Sequence, residues 1–420
     1  MMDFAHKKVV VLGLARSGFH AAQLLARHGA TVVVSEKNDD SHHRELMNQL
    51  TRVGIDGELG MHTRELIESA DCIVLSPGIP LFSEPVQWAK NKGIEIISEI
   101  ELGFQFCPAG IVATSGTNGK TTVTTLIALA LQRTDRRTFA LGNIGDPFCS
   151  KIEEMSKNDI VSLEVSSFQL EAIKEFHPKV SVLLNFTPDH LDRYANVKEY
   201  LDAKKRIFMN QDKHDYVVLN WADETLRGLE KEIPSRVVFF NTGDMLSARH
   251  RLNANQMAVV KVAEIYGVSF DACLNLFKNF KGIEHRMEFV RTINGVDFIN
   301  DSKATNIEST KWALDTVSRP IILIAGGRDK GSDFNSMRSA LQGKVKALIL
   351  FGEARQKIRH ALSSVVDVSE ASDIENAIVM AHAKAAPNDC VLLSPMCASF
   401  DMFKNYEERG KIFKAIVQRL

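Results

Sequence analysis

Short apolar runs alternate with amphipathic segments along most of this 420-residue chain. The runs Val9–Leu12 and Thr31–Val34 are rich in valine, which is typical of buried parallel strands. The segment between them, Gly18–His28, carries apolar residues at helical spacing, and Gly29 follows it as a helix-ending residue. The pattern therefore predicts a βαβ unit at the start of the chain.

The same alternation recurs in two later regions. Each predicted strand there is an apolar run followed by a polar or glycine-rich turn: Val161–Leu163, Val180–Leu184, Val217–Leu219, Val237–Phe240, Val296–Ile299, Ile321–Ile324, Ala347–Leu350 and Val391–Leu393. Strands alternating with helices favour α/β layers with mainly parallel sheets, whose ligands collect beyond the carboxyl ends of the strands.

The composition is that of an ordinary globular protein, with 45% hydrophobic residues, 25% charged residues and a formal charge of -1. We find no basic excess and no apolar run of membrane-spanning length, so we expect neither nucleic-acid binding nor membrane insertion. Six cysteines without a CxxC pair indicate free thiols. The first strand leaves no room for a signal peptide, and we expect a cytoplasmic monomer.

The segment Ala113–Thr122 predicts a phosphate-binding loop. An apolar run precedes it and apolar residues at helical spacing follow it, which places it at a helix N-terminus, where backbone N–H groups and the helix dipole favour an anion. Lys120 is suited to the outer phosphates of a nucleoside triphosphate, and Thr121 to Mg²⁺. Thr114 stands where the usual motif has its first glycine.

We therefore predict an α/β protein of three domains. Residues 1–98 form a Rossmann-like N-terminal domain. Residues 99–282 form a P-loop-type ATPase central domain. Residues 283–420 form a Rossmann-like C-terminal domain.

The first glycine-rich turn also allows another interpretation. Gly13, Ala15 and Gly18 resemble a dinucleotide fingerprint with alanine at one glycine position, and Glu36 follows at the distance of a ribose-binding acid. A nicotinamide-dependent dehydrogenase is therefore one alternative. The space before the phosphate loop suits one nucleotide rather than two.

Polar side chains follow several strands of the second region. Glu164 comes directly after one predicted strand and His190 follows the next. We expect these two strands to be adjacent and to bring both side chains to one place, with Glu164 as a magnesium ligand. Glu164 and two other polar residues of this region, Asp189 and Lys204, also allow interpretations that involve no ligand. Glu164 suits a solvated loop, Asp189 a helix cap and Lys204 a basic solvated face.

The third region places lysines and hydroxyls in loops after its strands. Asp301–Asn306 follows one predicted strand with Arg286 just ahead of it, and Arg328–Gly331 and Ser399–Tyr406 follow two others. Such groups at one edge suit an acidic amino-acid substrate.

Four segments together resemble the Mur ligases of peptidoglycan synthesis: Thr117–Thr122, Glu164–Gln169, Asp189–Arg193 and Asp301–Asn306. The resemblance spans nearly the whole chain. It implies an ATP-dependent amide ligase in which a substrate carboxylate attacks the γ-phosphate to give an acyl phosphate, which an amine then displaces. Asp301–Asn306 and Ser394–Asp401 are most similar to the members that add D-glutamate to UDP-N-acetylmuramoyl-L-alanine.

The resemblance implies that the N-terminal domain binds a uridine nucleotide, and that the C-terminal domain binds an amino acid and moves to bring Lys330 and Ser399 to the site. It also implies roles for individual residues. Catalytic roles fall on Lys120, His190 and Lys204. ATP-binding roles fall on Gly116, Thr117, Asn118, Gly119, Lys120, Thr121, Thr122, Arg286, Asp301 and Lys303. Contacts to the UDP-linked substrate fall on Arg16, Ser17, Glu36, Gly78, Asn143 and His190, and contacts to D-glutamate on Thr305, Lys330, Ser399 and Tyr406. Two Mg²⁺ ions fall to Thr121, Glu164, His190 and Lys204, the lysine as a carbamate.

Two further alternatives remain open. One is a related amide ligase that adds another amino acid or extends folate, against which Ser302–Thr305 argues. The other is a nucleotide-dependent switch that hydrolyses ATP without joining substrates. The family's His-Asn-x-x-Asn run does not recur at its usual spacing in His250–Asn255, so the resemblance assigns no adenine contact to Asn253 or Asn255.

Overall fold

The computed structural model describes residues 2–143, 145–190, 193–243 and 245–420. Leu191 and Asp192 of the Asp189–Arg193 segment lie outside the described residues. Contacts divide the chain into two compact units. The first holds the described residues up to Pro188 together with Arg193–Asn279, and the second holds Asp189, His190 and Phe280–Leu420.

The first sheet of the first unit is entirely parallel, in the order β3-β2-β1-β4-β5. Its strands are β1 (Lys8–Leu12), β2 (Thr31–Glu36), β3 (Asp56–Leu59), β4 (Cys72–Leu75) and β5 (Glu95–Ser98). Its helices are α1 (Arg16–Arg27), α2 (Ser41–Thr51), α3 (Arg64–Glu68), α4 (Glu84–Asn91) and α5 (Glu99–Phe106). The predicted βαβ unit is confirmed, although its helix begins two residues earlier than Gly18.

A second parallel sheet completes this unit, in the order β11-β10-β9-β6-β8-β7. Its strands are β6 (Gly110–Ser115), β7 (Thr138–Gly142), β8 (Ile160–Glu164), β9 (Val180–Leu183), β10 (Tyr216–Asn220) and β11 (Arg236–Phe240). Its helices are α6 (Lys120–Leu131), α7 (Ser167–Leu170), α8 (Val197–Lys205), α9 (Glu224–Gly228), α10 (Met245–Arg249), α11 (Ala254–Ile265) and α12 (Phe270–Asn279).

The order of this sheet corrects one expectation. The strands before Glu164 and His190, β8 and β9, are not neighbours, because β6 lies between them and pairs with both. Consecutive parallel strands need long crossover connections, and such a connection passes over β6 here. The phosphate-loop strand therefore occupies the middle position.

The sheet of the second unit is mixed, in the order β12-β13-β17-β14-β15-β16. Its strands are β12 (Glu288–Ile293), β13 (Val296–Asn300), β14 (Ile321–Gly326), β15 (Val345–Phe351), β16 (Asp367–Glu370) and β17 (Cys390–Leu393). Its helices are α13 (Ile307–Thr316), α14 (Arg338–Leu341), α15 (Arg355–Leu362), α16 (Ile374–Lys384) and α17 (Tyr406–Arg419). β12 and β13 form an antiparallel hairpin, while the other neighbouring strands are parallel.

Buried strands form the core of each sheet. Val9, Val10, Val11 and Leu12 of β1 are fully buried, as are Leu392 and Leu393 of β17. Parallel strands covered by helices on both faces require such continuous apolar runs. The six cysteines are free thiols, as expected. Among the described residues, the helices are too short or too polar to cross a membrane.

Candidate active site

The phosphate loop is the four-residue turn between β6 and α6. Gly116 has φ of 147° and Gly119, at the N-terminus of α6, has φ of 83°, values that favour glycine. A Cβ atom on Gly119 would also lie 2.6 Å from Oδ1 of Asn255. Thr114 lies inside β6 in strand conformation, so the missing first glycine is not needed there.

Residues that follow β9 hold this loop in place. Asn185 accepts from the N–H of Asn118 through its side chain at 2.8 Å and from the N–H of Thr117 through its carbonyl at 3.1 Å. The Thr117 hydroxyl donates to the Thr187 carbonyl at 3.1 Å. The sequence analysis missed Asn185, whose only signal is a polar amide directly after a buried strand.

Two lysine ammonium groups meet at one carbonyl of the loop. Lys120 Nζ donates to the carbonyls of Gly116 at 2.8 Å and Thr117 at 2.7 Å. Lys204 Nζ donates to the Gly116 carbonyl at 3.0 Å and lies 4.6 Å from the centre of the Tyr200 ring. Lys204 is 2% exposed, so its interpretation as part of a solvated basic face is wrong. Both ammonium groups therefore lie at the predicted phosphate loop.

Glu164 is a buried carboxylate at the end of β8. It is 1% exposed, so its interpretation as a solvated loop residue is wrong. Oε1 accepts from Asn143 Nδ2 at 2.9 Å, whereas the buried Oε2 has no hydrogen-bond partner among the described residues. An unsatisfied buried carboxylate oxygen is costly unless it binds a cation.

The donor set beside the loop therefore fits Mg²⁺. Glu164 supplies a carboxylate oxygen, and the register pairs it with Thr114 of β6, the strand that leads into the loop. Thr121 supplies a hydroxyl in the first turn of α6 and is buried. Hard oxygen ligands of this kind are those that Mg²⁺ prefers.

Asp189 and His190 belong to the second compact unit. Asp189 accepts from the N–H of His190 at 2.8 Å and from Asn306 Nδ2 at 3.0 Å. Asn196, not Asp189, caps the next described helix, α8, so the helix-cap interpretation is wrong. His190 has φ of 56°, a strained value for histidine. Its expected grouping with Glu164 and Lys204 stays a prediction.

The residues predicted to hold the uridine nucleotide gather at one edge of the first sheet. Arg16 and Ser17 begin α1 directly after the β1 turn, and exposed Gly78 lies in the turn after β4. β1 and β4 are neighbours at the point where the strand order reverses, which is the usual ligand crevice of such sheets. Arg16 Nη1 donates to the Gly145 carbonyl at 3.1 Å.

Glu36 lies at the same edge of the first sheet, and its contact with the uridine nucleotide stays a prediction. It is buried at the end of β2, and its carboxylate accepts from the N–H groups of Leu14 at 2.7 Å and Asn38 at 2.8 Å. Its oxygens therefore hold the turns after β1 and β2. Asn143, by contrast, is exposed and orients Glu164.

The residues predicted to bind D-glutamate lie on loops after three neighbouring strands of the second unit. Thr305 follows β13, Ser399 follows β17 and Lys330 follows β14. Lys303, which is predicted to bind ATP, lies in the same loop as Thr305. Lys303 Nζ lies 3.7 Å from the centre of the ring of Tyr406, the first residue of α17. The structure thus brings the four predicted residues to one edge of this sheet.

Asp301 and Arg286 also lie at this edge of the sheet, Asp301 directly after β13 and Arg286 just before its antiparallel neighbour β12. Asp301 accepts from the Ser394 hydroxyl at 2.9 Å and from the N–H of Met287 at 3.2 Å. Burial raises the pKa of Asp301 to about 7. Arg286 ends a tight turn that begins at Ile283, just before β12.

Arg409 is a buried residue that the sequence analysis missed. Its side chain is fully buried, Nε donates to the Ser302 hydroxyl at 2.9 Å, and Nη2 donates to the Ser302 carbonyl at 2.7 Å. The same guanidinium donates to the Cys397 carbonyl at 3.3 Å. It therefore links the loop after β13 to the loop after β17. An arginine in a helix looks solvated in sequence, so only its burial shows this role.

Three family models match the chain, and together they cover most of its length. A family model described as the Mur ligase middle domain matches residues 114–279, the Mur ligase glutamate ligase domain matches residues 285–397, and the Mur ligase MurD-like N-terminal domain matches residues 7–98.

Curated relatives and solved structures span the same length. The UDP-N-acetylmuramoylalanine--D-glutamate ligase of Geotalea uraniireducens (strain Rf4) is 41% identical, with 100% of this chain and 99% of the relative covered. The protein of that name from Thermoanaerobacter sp. (strain X514) is 40% identical, with 100% of both covered. The fold is that of the MurF ligase from Thermotoga maritima in complex with ADP, with a TM-score of 0.62, 15% identity and 100% of both chains covered. By its domains and by full-length identity, the chain belongs to the Mur ligase family.

Proposed function

We propose that this chain is an ATP-dependent ligase that joins D-glutamate to UDP-N-acetylmuramoyl-L-alanine through an acyl-phosphate intermediate. The observation that carries the proposal is the phosphate loop with Lys120 and Lys204 on one carbonyl and the unsatisfied carboxylate oxygen of Glu164 beside it. The relatives at about 40% identity carry the name of this activity over their whole length.

Lys120 and the Mg²⁺ ion that Glu164 would hold answer an electrostatic problem. A substrate carboxylate that attacks a triphosphate approaches several like charges, and each pair at 4 Å costs about 4 kcal/mol at an effective dielectric constant of 20. Lys120 is placed to offset this repulsion at the outer phosphates. Mg²⁺, held by Glu164 and Thr121, would neutralise further charge on the phosphoryl oxygens. A nucleotide switch needs the same loop but not the amino-acid loops of the second unit.

We propose that Lys204 acts as a carbamate. The Lys204 ammonium first loses one proton. Carbon dioxide then adds to the uncharged amine, a new N–C bond forms and a second proton is released, so the cation becomes an anion with two oxygen donors. Burial favours such a change, because a buried ammonium beside Lys120 meets a like charge near the Gly116 carbonyl. The carbamate oxygens would serve a second Mg²⁺ together with His190.

We assign D-glutamate to the edge loops of the second unit. Lys330, Tyr406 and the hydroxyls of Thr305 and Ser399 are cationic and polar groups that suit a dicarboxylic amino acid. The same loops argue against a ligase for a neutral amino acid. The first sheet carries Arg16, Ser17 and Gly78 at its crevice for the uridine nucleotide. A nicotinamide-dependent dehydrogenase would need Glu36 free for a ribose, whereas its carboxylate holds two turns.

The decisive experiment measures phosphate release from ATP. We expect release only when UDP-N-acetylmuramoyl-L-alanine and D-glutamate are both present, and little release with L-glutamate. Release without either substrate would favour a nucleotide switch, and equal rates with both enantiomers would contradict the D-glutamate assignment. In Lys120→Ala we expect turnover to fall by about 10² to 10³ because a charge on the reacting phosphoryl group is lost, while the UDP substrate still binds. Lys198→Ala, an exposed lysine on α8, is the matched control.

A further inference from the structure

A cleft lies between the first and second sheets of the first unit, away from the phosphate loop. Its volume is about 440 Å³, which is in the range of small-molecule sites, and its walls come from α4 and its preceding loop on one side and from α8 on the other. None of the residues predicted to bind ATP, Mg²⁺, the UDP substrate or D-glutamate lines it.

The floor of the cleft is already satisfied by protein contacts. Arg193 donates to Glu171 at 2.8 Å and to the Pro77 carbonyl at 2.9 Å. The Tyr194 hydroxyl donates to the other oxygen of Glu171 at 2.6 Å. Arg206 donates to the carbonyls of Leu170 and Ile173, at 2.7 Å and 2.6 Å. The floor is therefore a fixed surface whose cations have carbonyl and carboxylate partners.

The α8 wall carries two exposed carboxylates, of which Glu199 already accepts from the N–H of Ala195 at 3.1 Å and from Asn196 Nδ2 at 3.4 Å. Glu199 and Asp202 are three residues apart on α8, which puts them on one face of the helix. Both line the cleft and both are exposed. Asp202 has a cation, Lys205, at 3.7 Å, but Lys205 also pairs with Glu232 and so divides its charge between two acids.

The opposite wall is apolar with one cation at its rim. Leu81 and Phe82 line it, and the Phe82 side chain is 65% exposed, which is unusual for a phenylalanine. Lys90 donates to the Leu81 carbonyl at 3.1 Å and Gln87 donates to the same oxygen at 2.7 Å. Acidic groups thus face an apolar surface across a space of ligand size.

We propose that this cleft binds a small amphipathic molecule that carries one protonated amine on an aromatic or apolar body. The amine lies between Glu199 and Asp202, where it supplies the charge that Lys205 supplies only in part. The apolar body lies against Phe82 and Leu81 and buries surface that water now covers. The selectivity for an amphipathic amine comes from the carboxylates on one wall of the cleft together with the apolar side chains on the other.

The position of the cleft makes its occupant relevant to the ligase. α8 forms one wall and also carries Lys204, whose ammonium reaches the phosphate loop. Arg193 in the floor holds the carbonyl of Pro77, next to Gly78 of the uridine crevice. An occupant therefore contacts a helix and a side chain that reach two predicted substrate sites.

Binding can be tested without turnover, so the result does not depend on the proposed reaction. The probes are 4-fluorobenzylamine, 4-fluorobenzyl alcohol and 4-fluorobenzoate, observed by fluorine NMR at neutral pH with the full chain. We expect the amine to bind most tightly, the alcohol at least fivefold more weakly and the benzoate not measurably. Saturating ATP and UDP should not displace the amine.

Two variants at exposed positions locate the probe. Asp202→Asn should weaken amine binding at least fivefold, and Phe82→Ala at least threefold, with circular dichroism unchanged. Glu224→Gln removes an exposed acid from α9 and should leave the affinity unchanged. Equal binding of amine and benzoate, displacement by ATP or UDP, or unchanged affinity in Asp202→Asn would each overturn the proposal.

Discussion

Arg409 permits a quantitative test of how the loops of the second unit are held. Methionine at this position removes every donor and leaves the carbonyls of Ser302 and Cys397 buried without partners, at about 1 to 3 kcal/mol each. Loss of the buried charge offsets part of this. Burial lowers the pKa of Arg409 from 12.5 to about 10, and this shift corresponds to about 3 kcal/mol by which the buried charge destabilises the folded state. We therefore expect Arg409→Met to lose about 1 kcal/mol of unfolding free energy.

Lysine should be worse than methionine at this position. It retains a desolvated charge, yet its point-like ammonium cannot span two loops as a planar guanidinium does. We expect Arg409→Lys to lose about 2 kcal/mol, which reverses the order that a conservative substitution suggests. Urea unfolding measures the unfolding free energy of each variant, and hydrogen exchange at residues 302–306 and 397–401 shows whether the loss of stability lies in the two loops.

The same variants should affect the ligase selectively. Because Thr305 and Ser399 lie on the two loops that Arg409 links, we expect KM for D-glutamate to rise about tenfold, which is less than the loss of about 10²-fold that a full 1 Å misplacement can cause. Affinity for the UDP substrate should not change. Arg419→Met, an exposed arginine on the same helix, is the control. Wild-type stability and wild-type KM in both Arg409 variants would refute the role given to this guanidinium.

Three further changes test other parts of the molecule. Glu164→Gln should raise the Mg²⁺ concentration for half-maximal activity at least about tenfold, and an unchanged Mg²⁺ requirement would contradict the role of Glu164 as a ligand. Without Mg²⁺ the substitution should not lower the melting temperature, because it removes a buried carboxylate that has one oxygen without a hydrogen-bond partner. Lys204→Ala should lose activity and regain part of it with acetate or formate, whereas Lys205→Ala should need no rescue; absence of any rescue would count against the carbamate. Burial raises the pKa of Glu99 to about 7, so the folded state holds its proton more tightly and loses this contribution as pH rises from about 4.5 to 7. We expect unfolding free energy to fall by about 1 to 3 kcal/mol more in the wild type than in Glu99→Gln between pH 5 and 8; parallel curves would exclude Glu99 as the cause.

The local features of this chain could be predicted from its sequence. Apolar runs of three to five residues identified the buried strands because both faces of a parallel sheet need apolar side chains. The phosphate loop was visible because a sharp turn into a helix restricts residue types at Gly116 and Gly119. β12 was not predicted, since its outward positions are polar and it pairs at an edge.

Tertiary structure alone decided which of these features meet. Sequence spacing suggested that the strands of Glu164 and His190 are neighbours, but crossover connections placed β6 between them. Lysines and glutamates look solvated in sequence, and burial alone shows that Lys204 and Glu164 lie beside the phosphate loop while Arg409 joins two loops. Residue type and local spacing set what each segment can do; the packing of distant segments sets the dielectric and the hydrogen-bond partners, and these determine what each charged group does.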